Sequence, residues 1–323
     1  MPYIPQSSYP GAPFWQFNGH LQTLAPSLLR KIDPVPYTRQ RITTPDEDFL
    51  DLDWWTQGSE RLLVLTHGLE GNSTRHYILG MARLFYENGW DILAWNCRSC
   101  SGEMNKAFKL YHHGDIEDIS TVINHALREK AYQRIDLTGF SLGANITMKY
   151  LGVLGETCPP QIQSAVVFSA PCALESASIL LDRWDNQIYW KKFYKSVGAK
   201  MVAKEKDFPG SLPVEKLSEV KEWRDFDEWF SAPICGYRDA DEFYEKSSAN
   251  NFIHGIRVPC LLVNAINDPI LSPDCMPVEL AQSHAYFHLE TPASGGHCGF
   301  MLSGSTYAWS EFRALEFCSE SRR

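Results

Sequence analysis

Hydrophobic positions change their period along this chain, and the changes mark out its elements. Residues 37–44 and 49–55 alternate polar and apolar, the period-two pattern of half-buried strands, and predict an antiparallel hairpin. Leu62-Leu-Val-Leu-Thr66 is a continuous apolar run, as expected of a strand buried on both faces. Residues 72–88 turn to helical spacing through Tyr77, Met81, Leu84 and Phe85, with Ser73 or Thr74 as N-cap. Strands over 91–96, 134–138 and 164–169 then alternate with helices over 115–130 and 142–154. The alternation stops between 171 and 255, a stretch rich in aromatics and charges that predicts a helical cap. It resumes with strands over 259–264 and near 284–289 and an amphipathic helix over 307–318. Strand–helix alternation of this kind gives a mostly parallel sheet with helices on both faces. The expected organisation is an arm over residues 1–36, Pro- and aromatic-rich and irregular, a core over 37–170 and 256–323, and the cap insertion over 171–255.

Composition narrows the class. A chain of 323 residues with 44 % hydrophobic and 13 % aromatic content can bury a sizeable core. A net charge of −9 argues against nucleic acid as a partner, because phosphate neutralisation needs clustered Lys and Arg. The densest such cluster, 191–206, is interrupted by aromatics and acids. Nine cysteines include only one C-x-x-C, Cys97-Arg-Ser-Cys100, with no second pair. They read as reduced thiols of a cytoplasmic protein rather than a metal or redox centre. No signal peptide and no apolar run of about 18 residues is found, so no membrane-spanning segment is expected.

The candidate chemistry centres on Gly139-Phe-Ser-Leu-Gly143, a G-x-S-x-G elbow between a strand and a helix. So tight a turn leaves no room for side chains two residues either side of Ser141, and it pushes the hydroxyl into a cleft at a helix N-terminus. A serine needs a base to take its proton and an acid to orient that base. The expected chain order is Ser, acid, His. No carboxylate follows the 164–169 strand, whereas Asp268 lies just after the next one, where catalytic groups sit in open α/β sheets, with Asp274 as the alternative. His297, in Ser294-Gly-Gly-His-Cys-Gly299, is the candidate base. The oxyanion donors are expected to be the N–H of Leu142 and, from His67-Gly-Leu-Glu-Gly71, that of Leu69.

With these residues in place, the chain resembles the YheT-like branch of the α/β-hydrolases. Phe14-Trp15, Asn18-Gly-His-Leu-Gln-Thr23, His67-Gly-Leu-Glu-Gly71, Asn96-Cys-Arg-Ser-Cys-Ser-Gly-Glu103 and Tyr111-His-His-Gly114 match its motifs. So do Phe226-Asp-Glu228, Gly236-Tyr237, Tyr244, the run 264–269 and Gly295-Gly-His297. The resemblance implies an α/β-hydrolase fold and an esterase with Ser141, Asp268 and His297 as triad. It departs at Ser99, where the branch usually has glycine. That segment is expected to lie away from the triad, so the departure bears on local turn geometry. His20 is expected to pin the arm to the core, Arg98 and Glu103 to form an ion-pair scaffold, and most cap aromatics to form the cap's own core.

The expected activity is hydrolysis of short or medium acyl esters, with a small-molecule ester as partner and no cofactor or metal. An acyltransferase using the same triad, and a ligand-binding protein that keeps the fold without catalysis, are the alternatives.

Overall fold

Two long apolar faces, rather than one, organise the molecule. In the computed structural model, which describes residues 3–321, nine strands form one sheet in the order β1-β9-β8-β7-β6-β4-β5-β3-β2. The strands are β1 (Tyr3–Ile4), β2 (Thr38–Thr43), β3 (Phe49–Trp55), β4 (Arg61–Thr66), β5 (Asp91–Asn96), β6 (Arg134–Phe140), β7 (Ile162–Phe168), β8 (Cys260–Val263) and β9 (Phe287–Glu290). Only the pairings of β3 with β2 and with β5 are antiparallel. The alternation in the first two long strands thus reports a hairpin at the sheet edge.

The continuous run in β4 has a direct cause. Leu62 and Val64 join the core on one face of the sheet, Leu63 and Leu65 the core on the other. Helices α3 (Ile116–Glu129) and α4 (Leu142–Leu154) cover the first face. Helices α2 (His76–Glu87) and α11 (Trp309–Glu320) cover the second. A short helix α10 (Val278–Ser283) precedes β9.

Between β7 and β8 the chain forms no strand but five helices: α5 (Leu174–Leu181), α6 (Gln187–Asp207), α7 (Trp223–Phe226), α8 (Ala232–Ile234) and α9 (Ala240–Ser247). A π-helical turn over Asp227–Ser231 joins α7 to α8. Tyr189, Met201, Trp223, Phe226 and Phe230 pack together as a core separate from the two sheet faces.

The N-terminal arm differs from the irregular segment expected. Its first described residues add a parallel strand to β9, and Gly19–Leu29 forms an α-helix, α1, capped by the Asn18 side chain at the Leu21 N–H. The helix escapes the hydrophobic pattern because its buried positions are Gln22, Thr23, Ala25 and Pro26, half of them polar.

One further expectation is revised, and one bears on a turn. Arg98 is indeed buried in an ion-pair network, but with Asp46, Asp48 and Asp118, whereas Glu103 lies exposed and pairs with Arg41. Ser99 adopts φ +60°, so a serine here occupies the left-handed conformation that glycine enters without cost.

Candidate active site

The turn from β6 into α4 places Ser141 at φ +54° and ψ −119°, a strained conformation for a residue with a Cβ. The neighbouring glycines permit it. A Cβ on Gly139 would lie 2.3 Å from the Gly143 carbonyl oxygen, and one on Gly143 would lie 2.4 Å from that of Thr66. The Ser141 hydroxyl donates to His297 Nε2 at 2.9 Å, and His297 Nδ1 donates to Asp268 Oδ2 at 2.8 Å. Asp268 is buried, and its other oxygen accepts the Ile270 N–H at 2.9 Å. Asp274, the alternative acid, is exposed on a short 3₁₀ turn. Burial pulls the His297 imidazole down, but the adjacent Asp268 carboxylate outweighs it and holds the ring well above its ordinary value.

The loop after β4 presses against the same serine. A Cβ on Gly68 would sit 3.1 Å from that of Ser141. Leu69 lines the cleft beside Ser141, and Leu142 opens the helix behind it. Among the described residues neither N–H donates to a protein acceptor, as the expected oxyanion donors require. Below them His67 is fully buried. Its Nδ1 donates to the Gly68 carbonyl at 2.7 Å and its Nε2 accepts the Cys97 N–H at 3.0 Å. Burial lowers its pKa to about 4, which keeps it neutral. The 96–103 segment therefore touches the loop after β4 through Cys97, not the residues expected to form the triad. Burial also pushes the Cys97 thiol up and the Cys100 thiol to about 11, which suits inert thiols.

Several residues that the sequence did not single out complete the site. Gln22 Oε1 accepts the Asn267 amide at 2.8 Å and the Gly295 N–H at 2.7 Å, joining the loops that carry Asp268 and His297. Thr23 Oγ1 accepts the His297 N–H at 2.9 Å. Both lie in the run Asn18-Gly-His-Leu-Gln-Thr23, but they are adjacent residues and no spacing in it marked them as facing these loops. His20 differs from expectation: its ring bonds and stacks with Tyr189, tying the arm to the cap rather than the core.

Two clefts meet at Ser141 and His297. One, of about 560 Å³, runs beneath the cap among Leu174, Leu181, Phe193, Trp223, Phe243 and Ile270. Cap aromatics thus divide between the cap's core and this wall. The other cleft, of about 760 Å³, is more polar and opens past Arg75, Tyr77, Lys192 and Cys298.

The profile of the family described as Serine aminopeptidase, S33 matches residues 57–283. YheT of Escherichia coli (strain K12) is 33 % identical over 293 residues, 88 % of this chain and 84 % of that one. The chain belongs to the YheT-like α/β-hydrolases. This hydrolase is also 27 % identical to Phospholipase ABHD3 of Mus musculus over 310 residues, 93 % of this chain and 74 % of the relative. The esterase Pf2001 of Pyrococcus furiosus superimposes with a TM-score of 0.60 at 18 % identity, covering 91 % of this chain and 96 % of that one. That match shows the fold: a mostly parallel sheet flanked by helices. Among the described residues no helix is long and apolar enough to cross a membrane.

Proposed function

We propose that this protein is a carboxylic-ester hydrolase that works through a Ser141–His297–Asp268 triad. The observation that carries the reading is the unbroken chain of hydrogen bonds from the Ser141 hydroxyl through both imidazole nitrogens to the buried Asp268 carboxylate. His297 Nε2 takes the proton as Ser141 Oγ attacks the ester carbonyl carbon. Leu69 and Leu142 N–H groups hold the oxyanion, and Asp268 holds the imidazolium. The carbonyl–oxygen bond to the alcohol then breaks, and His297 returns its proton to the departing oxygen. Water, deprotonated by His297, attacks the acyl-enzyme, and the carboxylic acid leaves with Ser141 restored.

The apolar walls of the cap cleft support short or medium acyl chains, and the names of two relatives, an esterase and a phospholipase, support ester chemistry. Nine free thiols suit the reducing cytoplasm as its compartment. The test compares wild type with Ser141→Ala on p-nitrophenyl esters from acetate to decanoate and with a fluorophosphonate probe. Turnover that peaks at short or medium length, and labelling that disappears in the variant, are expected. Labelling that persists in Ser141→Ala removes Ser141 as the nucleophile.

A further inference from the structure

The second cleft at Ser141 has an unusual charge balance. The chain carries 39 acids against 30 bases, yet no aspartate or glutamate lines this opening, while Arg75 and Lys192 both do. Arg75 gives a nitrogen to an uncharged partner, the Glu70 carbonyl oxygen, at 2.7 Å. The Lys192 ammonium, on cap helix α6, has no hydrogen-bond or ion-pair partner among the described residues. Both side chains are exposed at the mouth of the cleft, and they sense one another: partial desolvation and then the Arg75 charge hold Lys192 below its ordinary pKa. Two cations at one opening with no acid beside them favour an anion that reaches both. Helix α2 adds to the same sign, since it starts at Arg75 without a side-chain cap and with no acid in its first turn.

The position of this cleft relative to the base gives it a role. A departing alcohol oxygen must face the proton on His297 Nε2. The cationic cleft takes in His297 together with Cys298, which follows it, and Thr23, which holds its backbone. The cap cleft, by contrast, reaches His297 and then runs away among Leu174, Ala177 and Leu181.

We propose that the cationic cleft is the alcohol-side subsite, and that it takes a leaving group bearing an anion, phosphate or carboxylate, held by Lys192 and Arg75. The assignment rests on Ser141 being the nucleophile. The substrate class is then an ester with an apolar acyl group and an anionic alcohol.

Hexanoyl esters of glycerol, glycerol 3-phosphate and glycerate share one acyl group and differ in the charge of the alcohol. Wild type is expected to favour at least one charged ester by about tenfold in kcat/KM over the neutral one. The preference should collapse in Lys192→Glu and at high ionic strength, and persist in Lys195→Gln, an exposed lysine of the same helix outside the cleft. The phosphate and glycerate arms tell which anion fits. Equal kcat/KM for the three esters, or an unchanged preference in Lys192→Glu, overturns the proposal. Calorimetric binding of glycerol 3-phosphate and glycerate to Ser141→Ala, with and without Lys192→Glu, reads the subsite apart from turnover. Salt-sensitive binding that Lys192→Glu abolishes supports the subsite even if no ester is cleaved, a result that counts against the esterase reading alone. Absence of binding, with neutral esters still cleaved, sinks the subsite and leaves the esterase reading standing.

Discussion

Glu70, on the loop that supplies the Leu69 N–H, forms an ion pair at 2.5 Å with Lys200 on the cap helix α6. Both side chains are largely buried, and Ser196, one turn earlier on the helix, donates to the same carboxylate. Tyr111 closes the arrangement, donating to the Glu70 carboxylate at 2.6 Å while accepting the Glu70 N–H at 2.9 Å. Glu70 itself sits at φ +55°, so these bonds hold a strained residue next to Leu69, the proposed oxyanion donor. The seating of the cap and the shape of the oxyanion loop are therefore one structure.

Lys200→Met removes the cation and leaves the largely buried Glu70 carboxylate without its counter-charge. The loop should loosen, and kcat should fall by about tenfold with little change in KM, the loss expected when an oxyanion donor is misplaced. Lys200→Arg should recover most of it. Steady-state kinetics on one p-nitrophenyl ester separates the two parameters. A rise in KM alone would show that the pair shapes the pocket and not the oxyanion loop.

The acid limb of the pH profile follows from His297. Asp268 holds the imidazole above its ordinary value of 6.5 despite burial, and only the neutral ring can take the serine proton. Activity should be absent at low pH and rise through a midpoint above pH 6.5. Asp268→Asn removes the charge that raises the midpoint, so the limb should move to lower pH while kcat drops by about three to four orders of magnitude. Rate profiles of kcat/KM for the two proteins provide the check.

Gln22→Ala tests the arm. It strips the acceptor from the Asn267 amide and from the buried Gly295 N–H, at a cost of about 1–3 kcal/mol for each donor left unpaired. Calorimetry should show a lower melting temperature. Because those donors belong to the loops of Asp268 and His297, kcat should fall as well. A full-rate enzyme with a lower melting temperature would reduce the arm to a stability element.

Asp227, in the π-helical turn that borders the cap cleft, sets a pH dependence of stability. Burial raises its pKa from 3.8 to about 7 against the pull of Ser231 and Tyr244. Between those pH values the folded protein keeps a proton that the unfolded chain has released, so stability falls as pH rises through the window. Asp227→Asn removes the titration. Melting temperatures measured from pH 4 to pH 8 should decline in wild type and run flatter in the variant.

How much of this was legible in the sequence depends on how local each signal is. Strand β4 could be read because its burial on both faces is written in consecutive residues. The elbow could be read because the steric demand for Gly139 and Gly143 falls within two residues of Ser141. Asp268 and His297 could be ordered because each follows the end of a strand in a parallel sheet, where the topology delivers loops to one edge. Helix α1 escaped because its buried face meets polar loops, so it carries no apolar stripe.

The sequence alone determined the sheet's alternation, the tight turn at Ser141 and the chain order of the candidate nucleophile, acid and base, since short-range sterics and hydrophobic period specify them. Tertiary structure alone decided which distant groups hold that chemistry in place. Gln22 reaches Gly295 across 273 positions, and Lys200 reaches Glu70 across 130. No period or motif encodes such pairs, because their partners become neighbours only when the arm and cap fold against the core.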